Sequence, residues 1–201
     1  MFSIPNKLNR FRNEIARFIA AGDYYSTPEG VVLHDAMLIQ GKYRHYVNGR
    51  LEDEGYNLVV DQGRQLMLNV ALFTTSKPAA LYLAAFAGAY TPVAGLLAIG
   101  FTAAATELVS NTEGYSETTR RTWTSATATT VGGTTSVGNT ASLARFTIIT
   151  ATSININGFA LLDNSTKGGT GGNLVSAYRL AAQRTYYNTD KIDEEYIISW
   201  T

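Results

Sequence analysis

The 201-residue chain contains no cysteine. That excludes a disulfide framework, a thiolate nucleophile and any cysteine-ligated metal site, and leaves the redox compartment open. Histidine is nearly absent too: there are two, His34 and His45, neither in a His-x-x-x-His spacing, so no metal-ligand set can be assembled from the sequence. The serine-hydrolase signature Gly-x-Ser-x-Gly is missing as well. Charge is scarce. Charged residues make up 16% of the chain, and the 16 basic and 16 acidic ones cancel to a formal net charge of zero. Typical soluble proteins carry roughly a quarter. The balance offers no global basic field for nucleic acid and no acidic solvating tail, and the low density predicts a surface covered in part by other subunits.

What remains is rich in Gly, Ala, Thr and Tyr and long enough to bury a core without metal or disulfide staples. In the N-terminal stretch MFSIPNKLNRFRNEIARFIAAG, Leu8, Phe11, Ile15, Phe18 and Ile19 recur at helical spacing, with Asn6 as a cap and Gly22 as a stop. The other face carries Lys7, Arg10, Arg12 and Arg17 against Glu14 alone. Charges interleaved with apolar residues do not read as a secretory signal, so no export by that route is expected. The spacing predicts an amphipathic helix that either packs on its own domain or serves as an arm docking on a neighbouring subunit or an acidic surface. The predicted organisation is a helical arm over 1–29 and a β-rich domain over 30–201.

From Gly30 the pattern becomes extended. In GKYRHYVNGRLEDEGYNLVV the Asn48-Gly49 pair between two strand-like runs predicts a type I′ hairpin over roughly 42–60, since both turn positions need positive φ. DQGRQLMLNVALF, 61–73, places Leu66, Val70 and Phe73 on one face of a short helix. Beyond residue 80 nearly everything reads as strand and turn. ARFTIITAT, ININGFALLD, GNLVSAYRLA and EEYIISWT are β-rich runs separated by Gly, Asn, Ser and Thr. TATTVGGTTSVGNTAS reads as a strand pair or an exposed loop. The expected fold is mainly β, an antiparallel sandwich or jelly-roll-like domain with an N-terminal amphipathic helix and one short internal helix.

One run poses a sharper question. LYLAAFAGAYTPVAGLLAIGFTAAAT, 81–106, holds 26 residues without a charge. A membrane helix needs about 20 apolar residues, but Gly88, Thr91, Pro92, Gly95 and Gly100 interrupt this one, so no membrane span is expected. LYLAAF reads as a core strand apolar on both faces. GLLAIGFTAAAT has too little polarity for an open loop and is the segment most expected to be covered, by its own domain or by a neighbour.

Chemistry is hard to place. Glu52, Asp53 and Glu54 follow the hairpin turn, and Asp193, Glu194 and Glu195 precede the last strand. Either cluster holds enough carboxylates for a glycosidase pair, but adjacent charges at strand ends read as solvated faces. KGGTGGN, 167–173, has its lysine first and a strand after it, the reverse of a phosphate loop, and reads as a hairpin connection. Arg120-Arg121 near Tyr115 and Trp123 suits a salt bridge or interfacial hydrogen bonding better than nucleic acid, which would need a wider basic patch. No catalytic residue and no cofactor is predicted.

The order of segments from GKYRHYVNGRLEDEGYNLVVDQGRQLMLNVAL through LYLAAFAGAYTP, FTAAATELVSNTEGYSETTRRTWT and INGFALLD to the closing YIISWT resembles a group of small virion structural proteins of tailed bacteriophages. The likeness spans about residues 42–201, and its most specific piece is Glu107-Leu108 followed by GYSETTR and Trp123. It implies a β-rich domain that assembles in symmetric copies, with head decoration (cement), neck and tail roles among those of the group. Expected partners are the major capsid protein or other virion proteins and further copies of the chain, a trimer first, in a virion. The interface residues expected with such a role are Arg10, Phe11, Arg17 and Phe18 on the basic arm, which lies outside the likeness, and Arg120, Arg121 and Trp123 on the domain. A tail or baseplate component and a receptor- or glycan-binding module are the alternatives.

Overall fold

The computed structural model describes residues 24–27, 30–33 and 39–200. The chain divides into two compact units, 1–38 and 39–201. In the first, β1 (Tyr24–Thr27) and β2 (Gly30–Leu33) form an antiparallel pair with Tyr24 opposite Leu33. Strand structure is therefore present by Tyr24, ahead of the change of pattern at Gly30. The predicted helix over residues 8–19 lies outside the described residues.

The second unit opens with β3 (Ile39–Val47) and β4 (Arg50–Val59). Asn48 and Gly49 join them at φ 50° and 84°, the left-handed pair that the Asn-Gly signal predicts. Then come α1 (Asp61–Leu72), β5 (Leu81–Phe86), α2 (Ala98–Ala105), β6 (Gly114–Tyr115) and β7 (Arg121–Trp123). β8 (Thr129–Val131) and β9 (Thr134–Gly138) form a hairpin from the Thr- and Gly-rich stretch, and β10 (Ala144–Ile149), β11 (Ile154–Leu162), β12 (Leu174–Tyr186) and β13 (Lys191–Trp200) follow.

These strands make one antiparallel sheet with the order β6-β10-β13-β3-β4-β12-β11-β5-β7, and β9 branches onto β13. β13 is its spine. It pairs along its length with β3, from Ile192 opposite Val47 to Trp200 opposite Ile39, while its other edge is shared by β10 and β9. The sheet is curled. Register shifts between Ile156 and Gly158 and between Leu161 and Leu162 bend β11 against β12, as bulges do. Across the curl, Trp123 at the β7 end donates from Nε1 to the Tyr196 carbonyl of β13 at 2.9 Å. The fold is thus mainly β and antiparallel, as the runs of β-branched and aromatic residues predict.

The concave side holds an aromatic core. The Tyr43 and Tyr196 rings stack at 4.3 Å, and Phe146 contacts Tyr115 and Phe159 at 5.0 and 5.6 Å. A second apolar cluster lies on the convex side. Strand alternation sends Leu83 and Ala85 of β5 and Phe159 and Leu161 of β11 inward, and Ala84, Phe86, Ala160 and Leu162 outward. Leu83 through Phe86 are therefore all buried, which explains a strand apolar on both faces.

The outward cluster is roofed by α2, an element that reading residues beyond 80 as strand and turn does not anticipate. Ala98, Phe101 and Ala105 face the sheet, with Phe101 edge-on to Phe86 at 6.1 Å. Burying Phe101 contributes about 1.5–3 kcal/mol. The 26-residue uncharged run is therefore a core strand, a loop and an eight-residue helix. No helix among the described residues is long and apolar enough to cross a membrane.

Candidate functional site

Three places in the second unit concentrate unusual chemistry: the uncovered side of α2, a pair of buried polar centres, and an apolar cavity under α1. Gln62 links the two helices to the sheet. Its Oε1 accepts hydrogen bonds from Ala98 N and Leu174 N, both 2.9 Å, so one side chain ties the first turns of α1 and α2 to the start of β12.

α2 buries one side and leaves the other open. Val93, Leu97 and Ile99 are 54%, 48% and 69% exposed, and the chain carries no charge between Lys77 and Glu107. On α1, Leu68, Leu72 and Phe73 are exposed as well, so Phe73 does not join Leu66 and Val70 in packing. The expectation that GLLAIGFTAAAT is covered holds for Leu96, Ala98, Phe101 and Ala105 only. An uncharged surface with several large aliphatic side chains is the composition found in the core of protein interfaces.

The first buried polar centre starts where α2 ends. Thr106 turns the chain in left-handed geometry (φ 56°) and sets Glu107 beside Phe86 of β5. Arg120 meets it bidentately, Nε to Oε1 at 2.7 Å and Nη2 to Oε2 at 2.8 Å, with both side chains fully buried. Thr102 Oγ1 and Gly168 N also donate to Oε2, and Arg120 reaches the carbonyls of Asn164 and Gly169, each at 3.0 Å. The KGGTGGN loop between β11 and β12 is thereby pinned through the backbone of Gly168 and Gly169. Lys167 of that loop donates to the Tyr115 carbonyl at 2.8 Å and sits 3.5 Å from the Tyr115 ring centroid. Burial pulls its ammonium down to about 8, against the opposing pull of Glu117 and Glu107.

The second centre lies in the middle of the sheet. His45 and Glu194 are cross-strand neighbours on β3 and β13, both buried. His45 Nδ1 bonds Glu194 Oε1, and its Nε2 lies 2.5 Å from the Tyr186 hydroxyl. With the proton on Nδ1, the ring donates to the carboxylate and accepts from the phenol. Burial pushes the Glu194 carboxyl up to about 7, with His45 opposing, and Oε2 of the same group has no hydrogen-bond partner among the described residues.

These positions correct the reading of Asp193, Glu194 and Glu195 as a solvated cluster ahead of the last strand. All three lie inside β13 and are buried. Period-two alternation sends Glu194 to His45 and its neighbours to the other face. There Asp193 takes a bidentate Arg145 at 2.7 and 2.8 Å, and Glu195 takes Arg44 at 3.2 Å. In the other carboxylate cluster only Glu54 is exposed: Asp53 accepts from Ala181 N and the Tyr178 hydroxyl, and Glu52 pairs with Arg184.

Of the residues named for an interface, Arg10, Phe11, Arg17 and Phe18 lie outside the described residues. Arg120 is spent on Glu107, and Trp123 is 8% exposed with its indole N–H bonded inside the subunit. Arg121, half-buried, pairs with Leu83 across β7 and β5. These three share one segment but form no exposed patch. The exposed apolar residues close together in sequence, Val93, Leu97 and Ile99, carry a signal in retrospect: β-branched and leucine side chains within a run with no charge to solvate it. No protein-family model matches the chain, and no curated protein matches it.

Proposed function

We propose that this chain is a structural component of a tailed-phage virion, a capsid decoration or cement protein that binds the major capsid lattice and works by burying surface in many copies. The observation that carries the reading is the exposed surface of α2 and of the loop leading into it: Val93 and Leu97 ahead of the helix and Ile99 on it stand exposed on a segment without charge, the surface an assembling subunit covers with its neighbour. The resemblance of residues 42–201 to small virion proteins supports the same role. A closed cyclic oligomer, a trimer first, suits a lattice with local threefold axes. In this reading the curled sheet acts as the two layers of a jelly-roll-like sandwich. The basic N-terminal segment with Arg10, Phe11, Arg17 and Phe18 supplies a capsid-gripping arm, electrostatically matched to an acidic exterior.

Quantitative mass spectrometry of purified particles tests this. On the order of hundreds of copies per particle is the expected result for a head lattice, whereas about six or twelve would move the chain to the neck, tail or baseplate. Absence from particles would overturn the virion reading.

A further inference from the structure

α1 is held down at one end only. Gly63 lies so close to β12 that a Cβ there would stand 2.2 Å from the Val175 carbonyl oxygen. One to two turns on, Leu66 and Met67 pack only partly against the core, and with half-buried Val70 they line the space beside the sheet. The space between is a cavity of about 490 Å³. Its floor consists of core residues, Val175, Ile198 and Leu81, and its walls include Trp123 and Trp200, the only two tryptophans of the chain. A volume of this size, apolar inside with polar groups at the rim, is that of a small-molecule site.

The rim selects among apolar ligands. Lys77 is the single charged side chain lining the cavity; it is exposed, and no carboxylate among the described residues lies within ion-pair distance of it. Thr122, Thr124 and Ser125 add hydroxyls at the same margin. We propose that the cavity under α1 binds a single-chain amphipathic anion, a medium-chain fatty carboxylate, with its acyl chain between the two tryptophans and Met67 and its carboxylate at Lys77. This site is separate from the open face of α2, and its test does not depend on assembly.

Because both tryptophans line the cavity, intrinsic fluorescence of the full chain reports occupancy directly. Titration with 12-bromododecanoate below its micellar range is expected to quench saturably at one equivalent per chain, and the alcohol 12-bromododecanol to bind more weakly. Lys77→Gln is expected to erase the advantage of the acid, a loss of roughly two- to fivefold in affinity, the scale of one exposed ion pair. Val70→Phe, which fills the cavity from a half-exposed position, is expected to abolish quenching. No saturable quenching, or quenching unchanged by Val70→Phe, overturns the site and leaves a protein segment as the groove's occupant. Equal binding of acid and alcohol overturns the role of Lys77. Quenching by brominated acyl chains in anionic vesicles but not by the dissolved acid overturns the free ligand in favour of a membrane surface.

Discussion

Replacing Arg120 by methionine removes a buried charge whose side chain makes four hydrogen bonds. The substitution keeps most of the side-chain volume but removes both hydrogen bonds to Glu107, leaving that carboxylate with Thr102 and Gly168 as donors at zero side-chain exposure. It also strips a donor from the carbonyls of Asn164 and Gly169. Removing one partner of a buried ion pair costs about 3–5 kcal/mol, because the remaining charge stays desolvated. Against a total stability of about 5–15 kcal/mol this is a large fraction. Urea unfolding followed by circular dichroism reads it: with a slope of about 2–3 kcal/mol/M the midpoint falls by roughly 1–2 M at unchanged slope. Removing both charges with Glu107→Leu and Arg120→Met recovers part of the loss, since no orphan charge is left. Amide exchange should rise first in residues 163–173, which the pair pins. A midpoint shift below about 0.3 M for the single variant would refute the reasoning, because it would mean that water replaces Arg120 at Glu107.

Further consequences follow from the same contacts. Gly63→Ala drives a methyl into the Val175 backbone and is expected to cost about 1–3 kcal/mol in urea unfolding, whereas Gly95→Ala, with open space around its Cβ, should change stability little. Glu194, held protonated by burial up to about 7, binds a proton in the folded state that the unfolded chain has already released above its ordinary 4.5. Its contribution to stability is therefore full below pH 4.5 and declines as pH rises to about 7, by about 3 kcal/mol over the window. Glu194→Gln should flatten that part of the pH profile in unfolding experiments between pH 4.5 and 8. An unchanged slope in the variant would show that the carboxyl titrates as if solvated.

The sequence was legible where local chemistry decides structure. Asn48-Gly49 specifies its turn without help from the rest of the chain, and LYLAAF announces a strand with two dry faces because alternation cannot hide either one. α2 was not legible. AIGFTAAA mixes glycine and two β-branched residues, Ile99 and Thr102, with alanines, and its exposed side is as uncharged as its buried side, so the polar contrast that marks a helix on a sheet is missing. The carboxylates of β13 misled for a different reason. Three adjacent charges look like a solvated end, yet consecutive strand residues face opposite sides, and the hydrogen-bond partner of Glu194, His45, is 149 positions away. The pattern Lys42-Tyr43-Arg44-His45 is its complement, since in register Arg44 meets Glu195 and His45 meets Glu194. Only the pairing of β3 with β13 makes the two patterns readable together. For Arg120 the sequence leaves a salt bridge and interfacial hydrogen bonding open, and the structure shows the salt bridge, to Glu107; aromatic and arginine side chains serve interfaces and interiors alike, and burial separates the two uses.

The claim that the open side of α2 is an assembly surface is tested most directly by sedimentation equilibrium of the full chain beside its Ile99→Asp variant. Ile99 is 69% exposed, so a charge there should leave the subunit's own stability within about 0.5 kcal/mol. The prediction is a closed oligomer, a trimer first, for the parent chain and a folded monomer for the variant. A parent chain that is monomeric across the micromolar range, or a variant that keeps the parent's oligomeric mass, would contradict it.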